Sequence, residues 1–289
     1  MNLFSHFGAK DLKKLEILQK KNYLQMMQKR SKHGIVAHSL ISILIQEVTR
    51  NLAEWIENIF NPIVNSFLYI IVFGVLLGSI IGQTAGVNYG IYILSGFIIM
   101  NIINTSYDEG SYFIMLHKYS KTLTDFQVAP IRVHTIILGV YFASLIRVGF
   151  ISLAIYLLGS CLVGFAPISH IWIVLGIALI TIAMFTFLGL INGVLSHSWE
   201  QLNFALTFII TPLIYVSGIF YDISQIPSAL KYISHINPLT YIVDSFRYGM
   251  INVQTLNVPL YLYFALLCVV MVALYALTCY VFKRKLNIK

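Results

Sequence analysis

An all-α protein that crosses a lipid bilayer several times is what this amino-acid order calls for, on three counts. Uncharged apolar stretches recur at 63–81, 89–103, 172–194, 204–220 and 258–282, and a further stretch at 134–161 is interrupted only by Arg147. Each is close to the roughly 17 to 25 residues that a helix needs to cross a hydrocarbon core. Composition agrees: 58% of the 289 residues are hydrophobic and 10% charged, against about 25% charged in soluble domains. Five or six apolar helices cannot be hidden behind so few charges in water. Finally, lysine and arginine are unevenly shared among the segments that join the stretches.

That uneven sharing sets the topology. Residues 1–37 form a polar, basic extension with Lys10, Lys13, Lys14, Lys20, Lys21, Lys29, Arg30 and Lys32, and Arg50 follows before the first stretch. No apolar core near the start suggests a cleaved signal. Lys118, Lys121 and Arg132 lie between the second and third stretches, and Lys283, Arg284, Lys285 and Lys289 follow the last, whereas the links 82–88 and 162–171 carry neither residue type. The positive-inside rule then predicts six spans (about 61–81, 89–107, 134–161, 172–194, 204–220 and 258–282) with both termini cytoplasmic. The formal charge of +8 is a topology and lipid-surface signal, and no aromatic-basic pattern points to nucleic acid.

Before the first span, Leu44, Val48, Leu52, Trp55 and Ile59 recur at helical spacing, and Glu47, Arg50, Glu54 and Asn58 take other faces. Residues 38–60 are therefore expected as an amphipathic helix in the cytoplasmic interface, with Trp55 at headgroup depth and pairing of Arg50 with Glu47 or Glu54. It hands the chain to the first span through Asn61-Pro62. Periodicity leaves a lever and a plain anchor both open.

The link 104–133 mixes Tyr112, Phe113, Met115 and Leu116 with Asp108, Glu109, Lys118, Lys121 and Asp125, and ends in Ala129-Pro130. Large apolar residues beside charges suit a short helix presented to a partner protein, or a cover for the span ends. Arg147 is the one charge deep inside an apolar stretch, where an arginine faces the bundle interior or pairs. Tyr141, Ser144 and Glu109 are its candidate partners. No predicted span has a central Asp, Glu or His, which argues against a proton-coupled carrier.

The link 220–257 is patterned for two short helices, opened by Pro227 and by Asn237-Pro238. Leu239, Ile242, Val243, Phe246 and Met250 make an apolar stripe, with Asp244 and Arg247 three residues apart. Re-entrant helices on the outward side, serving as a gate or a structural cap, are expected; Pro238, Asp244 and Arg247 are the gate candidates. Gly74 and Gly78 make a small-residue pair for close helix contact. Cys161, Cys268 and Cys279 and the eight scattered histidines form no metal or redox motif. There is no GxxxxGK(S/T), HExxH or GxSxG, so an enzyme is not expected, and ATP, if used, is hydrolysed by another chain.

Five segments carry a family resemblance: NPIVNSFLYIIVFGVLLGSIIG at 61–82, APIRVHTIILG at 129–139, LGLINGVLSHSWEQLNF at 188–204, TPLIYVSGIFYDISQIP at 211–227 and HINPLTYIVDSFRYGM at 235–250. The sequence resembles the permease subunit of an ABC-2 type exporter, in particular bacterial inner-membrane permeases of the YadH-like branch, from about His38 to the carboxy terminus. The resemblance implies a transmembrane domain at 61–289 with six helices, an interface helix at Glu47, Arg50, Glu54 and Trp55, and coupling to an ABC ATP-binding subunit through Tyr112, Phe113, Met115, Leu116, Lys118 and Lys121. It also implies a second permease subunit, ATP and Mg2+ on the partner alone, and a multi-pass place in the cytoplasmic membrane. The expected cargo is a hydrophobic or amphiphilic drug-like or lipid-like molecule. A polysaccharide or glycolipid cargo, stacked on Tyr89, Tyr92, Tyr141, Phe142, Phe185 and Phe187, is the alternative, as is a non-transport scaffold.

Overall fold

The computed structural model describes residues 32–128, 131–225, 227–256 and 258–286. Along them run α1 (Lys32–Ala53), α2 (Ile56–Ile81), α3 (Tyr89–Tyr119), α4 (Leu123–Val128), α5 (Val133–Val163), α6 (Ile171–Leu195), α7 (199–216), α8 (Ser228–Ile236), α9 (Pro238–Ile251) and α10 (Leu260–Leu286). The only strands among these residues, β1 (Gln83–Thr84) and β2 (Val87–Asn88), form a hairpin between α2 and α3. Its turn residues Ala85 and Gly86 take φ of 50° and 80°, the left-handed pair that a two-residue hairpin needs. Residues 1–31 and the Ala129-Pro130 pair of the sequence analysis lie outside the described residues.

Five helices, α2, α3, α5, α6 and α10, are long and apolar enough to cross a membrane, so the chain is an all-α polytopic membrane protein. The stretch expected as the fifth of six spans, 204–220, comes out differently. Its helix α7 starts at the polar Trp199-Glu200-Gln201 and ends at Val216, where Gly218 at φ +84° turns the chain. It is shorter than the other five.

Two further boundaries depart from expectation, each for a physical reason. α3 does not stop at 107: it continues as one helix to Tyr119, because Glu109, His117 and Lys118, which lower its hydropathy, have partners within the protein. Asp108 and Glu109 therefore lie within this helix, in its C-terminal half rather than at its centre. The interface helix breaks at Glu54 rather than passing on through Asn61-Pro62. Pro62 is accommodated inside α2, just after a wide turn at Ile56–Phe60 in which the Asn61 N–H bonds back to the carbonyl of Ile56. In α1, Ile43, Glu47 and Asn51 are the buried face, whereas Ile45 and Leu52, and Trp55 just after the helix, point away from the bundle. In a bilayer the apolar face of such a helix has lipid to meet, and the polar face finds partners within the protein.

α3 is the hub. It packs on α5, α6 and α9, and Gly110 on α3 faces Gly189 on α6 so closely that a Cβ on Gly110 would strike the carbonyl of Thr186 and one on Gly189 that of Tyr107. Only glycines allow this backbone approach. Lys118, near the end of α3, donates to the carbonyls of Gly193 (2.8 Å), Val194 (2.7 Å) and Ser196 (2.7 Å), fastening the end of α6. α9 is no peripheral cap. Its apolar stripe Leu239, Ile242, Val243, Phe246 and Met250 is fully buried, and the N–H groups of Ser169 and His170 bond to the carbonyls of Met250 and Gly249.

Candidate functional site

Glu109 gathers several of the charges singled out in sequence. This carboxylate on α3 is fully buried and accepts from Arg147 Nη1 of α5 at 2.6 Å, Asn51 Nδ2 of α1 at 3.0 Å and Arg50 Nη2 of α1 at 3.4 Å. Of the three partners considered for Arg147, Glu109 is the one the structure selects. Ser144 instead accepts from Thr186, and Tyr141 donates to the carbonyl of Leu179. Arg147 Nε also donates to the carbonyl of Asn58 at 3.0 Å. Pro62, four residues on, has no N–H to offer that carbonyl, so the arginine compensates for the proline while pairing with the acid.

The same network binds the interface helix. Arg50 pairs with Glu47 at 2.8 Å, as expected, whereas Glu54 accepts from Asn58 instead. Burial pushes the Glu47 carboxyl up to about 7 in spite of Arg50 beside it. Thus α1, α2, α3 and α5 meet at one knot of charge, lying roughly 29 Å along α3 from Tyr89, close to the thickness of a hydrocarbon core.

Beside the knot is a cavity of about 770 Å³ between α2, α3, α5 and α7. One face of α3 supplies its wall at helical spacing, from Phe97 through Asn101, Asn104, Asp108 and Tyr112 to Leu116. α2 adds Asn58, Asn61, Asn65 and Tyr69, α7 adds Trp199, and Arg50 and Arg147 reach it from the knot. Five asparagines in one cavity give amide donors and acceptors in equal measure. Tyr112 and Trp199 stand 5.3 Å apart at the charged end, while Tyr69, Phe97 and Met100 make the other end apolar. Above it, Phe97 contacts Phe73 (6.0 Å) and Phe220 (5.7 Å), and Phe220 contacts Tyr215 (5.5 Å), so packed rings separate the cavity from the link after α7.

The remaining candidates divide. Among the proposed coupling residues, Phe113 and Met115 are buried in the bundle and Lys118 holds α6, leaving Tyr112, Leu116 and Lys121 at the surface. Asp244 and Arg247 do not pair. The Asp244 carboxylate accepts from the N–H and hydroxyl of Thr255 (both 2.7 Å) and from Tyr263 (3.3 Å). Arg247, fully buried, lies 3.8 Å over the Tyr92 ring and donates to the carbonyl of Gly218 at 3.0 Å. Pro238 is exposed at the start of α9, where Asn237 accepts from the N–H of Leu239. The aromatics suggested for sugar stacking do not line the cavity; Tyr69, Phe97, Tyr112 and Trp199 do. Sequence reasoning gave Tyr112 a coupling role and passed over Tyr69, Phe97 and Trp199, although the three- and four-residue spacing of Phe97, Asn101, Asn104, Asp108 and Tyr112 was there to find. Among the described residues no three His, Cys, Asp or Glu side chains are grouped to hold a metal ion.

Comparison with known proteins bears directly on this arrangement. The ABC-2 type transporter family matches residues 38–251, from within α1 to the end of α9. The inner membrane transport permease YadH of Escherichia coli K12 is 32% identical over 238 residues, covering 82% of this chain and 91% of that protein. Nodulation protein J of Rhizobium meliloti is 24% identical over 246 residues, covering 82% and 91%, and that of Neorhizobium galegae is 24% identical over 244 residues, covering 82% and 92%. The matched region spans every element of the charge knot and the cavity, and the chain belongs to the ABC-2 type transporter family, whose members are multi-pass, non-catalytic transport subunits that work with an ABC ATP-binding subunit.

Proposed function

We propose that this chain is the permease of an ATP-driven exporter in a bacterial inner membrane, that its cargo is an amphiphile with a hydrogen-bonding head of the glycolipid kind, and that this cargo is taken up in the cavity beside Arg147. The observation that carries it is the cavity's gradient. Asparagines and charges occupy one end and Tyr69, Phe97 and Met100 the other, which matches a polar head at headgroup depth with an apolar tail above it. An all-apolar drug would offer nothing to this polar end, where the buried Asn104 Oδ1 has no partner within the protein, and a buried polar atom without a partner is unfavourable. Sequence similarity to YadH, a transport permease of the inner membrane, supports the location.

In this reading α7 is the fifth of six spans, both termini are cytoplasmic, and α8 and α9 are the re-entrant outward helices. A second copy of the chain covers the open side of the cavity between α2 and α7, because the carboxylates and amides of α2 are poorly placed against lipid. Residues 38–60 and the end of α3 around Tyr112–Lys121 face the ATP-binding subunit. Closure of that subunit on ATP moves α1, the knot transmits the motion to the cavity wall, and the Phe73–Phe97–Phe220 rings part to release cargo outward.

The test is gentle extraction of the tagged permease from its native membrane, identification of co-purifying chains, and ATP turnover with glycolipids and with apolar drugs. A stoichiometric ATP-binding subunit whose turnover rises with glycolipids supports the proposal. Stimulation by apolar drugs alone returns the cargo to the drug-like class, and repeated isolation without an ATPase makes the chain a scaffold.

A further inference from the structure

The charged end of the cavity is unbalanced. Its knot and walls hold the carboxylates of Glu47, Glu54, Glu57, Asp108 and Glu109 against the guanidinium groups of Arg50 and Arg147. Both arginines are already engaged, since the three ion pairs among the described residues all run to Glu47 or Glu109, and neither of those acids lines the cavity. The carboxylates that do line it are Glu54, Glu57 and Asp108. Among the described residues, none donates a hydrogen bond to the carboxylate of Asp108 or of Glu57, and only Asn58 does so to Glu54. An acid at this depth in a membrane protein is unfavourable unless something of opposite charge meets it.

A second feature of the same wall speaks to what that something is. Asp108 is followed one helical turn later by Tyr112, and the Tyr112 ring lies 5.3 Å from that of Trp199, which Tyr119 also approaches at 5.4 Å. Tyr112 and Trp199 both line the cavity beside Asp108. A carboxylate next to tyrosine and tryptophan rings is the chemistry that receives an ammonium group: the charge meets the acid, and the N–H or N-methyl groups meet the ring faces. The apolar end formed by Tyr69, Phe97 and Met100 lies further along α3, leaving room for an acyl chain or similar body above the head.

We infer that the cavity selects amphiphiles whose head carries an ammonium group, that Asp108 is the residue setting this preference, and that Tyr112 and Trp199 complete the subsite. The inference rests on the cavity being the cargo site and adds the charge of the cargo. A neutral glycolipid head would satisfy the asparagines alone, whereas an aminated one satisfies the asparagines and Asp108 together.

The experiment uses the full chain purified in a neutral maltoside detergent, with the surface tryptophans Trp55 and Trp172 replaced by Phe so that Trp199 fluorescence reports on the cavity. Two probes with the same alkyl chain are titrated: decyltrimethylammonium and decyl glucoside. The expected result is a Trp199 response to both, with the ammonium binding about tenfold tighter, as one engaged partly buried charge allows. In Asp108→Asn the preference collapses while glucoside affinity is kept. Glu57→Gln, at an exposed position, gives a smaller fall and serves where Asp108→Asn is recovered poorly. Equal affinity of the two probes for the parent chain, or an unchanged preference in both variants, overturns the inference and leaves the cargo site standing. Failure of either probe to move Trp199 fluorescence overturns the cargo site and the inference with it.

Discussion

Removing Arg147 isolates the worth of the charge knot. Arg147→Met keeps the length of the side chain and takes away two things: the 2.6 Å ion pair with Glu109 and the 3.0 Å hydrogen bond to the Asn58 carbonyl. Breaking one side of a buried pair typically costs about 3 to 5 kcal/mol, because the other charge is left uncompensated. Here the lower end applies, since Glu109 keeps Asn51 and Arg50. The Asn58 carbonyl, which Pro62 cannot serve, adds about 1 kcal/mol, at the lower end because the adjoining cavity admits water. The expected loss is about 4 kcal/mol, a fall in melting temperature on the order of 10 °C at about 2 to 4 °C per kcal/mol.

The assay is size-exclusion detection of the fluorescently tagged permease after heating in detergent, for Arg147→Met, Glu109→Gln and the double variant. Since the two side chains act on each other, the double variant is expected to lose about 2 kcal/mol less than the two single losses added together. Arg147→Lys keeps the charge but cannot span both acceptors, and falls between. A melting temperature for Arg147→Met within about 2 °C of the parent, or strict additivity in the double variant, would refute the view that the pair supports the bundle.

Three further predictions follow from other parts of the structure. Glu47 holds its proton more tightly folded, at about 7, than at its usual 4.5, so its contribution to stability is full below pH about 4.5, declines up to about 7 and is flat above. Glu47→Gln should therefore leave thermal stability at pH 5 nearly unchanged and raise it at pH 8 by up to about 3 kcal/mol; an identical pH dependence in parent and variant would count against this. Gly189→Ala should destabilise by about 3 kcal/mol, because its Cβ meets the Tyr107 carbonyl, whereas Gly149→Ala, with nothing within 4 Å, should be neutral by the same heating assay. Lys118→Met should free the last turn of α6, losing about 2 kcal/mol and speeding amide exchange at 192–196, while the exposed Lys121→Met should change neither.

How far these features were legible depended on whether their causes are local. The apolar stretches, the Asn237-Pro238 cap of α9 and the Arg147–Glu109 candidate pair could be read, because each is a matter of residue type over a short window or of a charge that must have a partner. The length of α3 could not. Asp108 and Glu109 look like a link when seen with their neighbours in sequence; what lets Glu109 lie buried in a helix is Arg147, 38 residues on, and Asn51 and Arg50, 58 and 59 residues back. The residues that α1 turns inward are hidden in sequence for a related reason. Its apolar stripe is plain in sequence, but in a membrane protein that stripe is free to meet lipid, and the residues that pack inward are Ile43, Glu47 and Asn51. Periodicity finds the two faces of a helix and is silent on which solvent each one meets.

The two buried arginines show how one bundle separates a rigid end from a responsive one. Arg247 has its charge spread over fixed groups, the carbonyls of Gly218 and Ile219 and the ring of Tyr92, which belong to the packed segment after α7 and to the start of α3. The Tyr92 hydroxyl in turn donates to the carbonyl of Tyr221 at 2.9 Å, so moving any one of these groups exposes a charge with no other acceptor nearby. Arg147 faces a different situation. Its partner Glu109 is shared with Arg50 and Asn51 on α1, and the guanidinium borders the cavity. A displacement of α1 changes how the Glu109 charge is divided between two arginines without leaving either one unpaired, so the knot can shift at small free-energy cost where the Arg247 site cannot. In the proposed transport cycle α1 is attached at the adjustable site, and the rings of Phe73, Phe97 and Phe220, packed on one another, are the part of the pathway that yields when motion from α1 reaches a wall held firm at its far end.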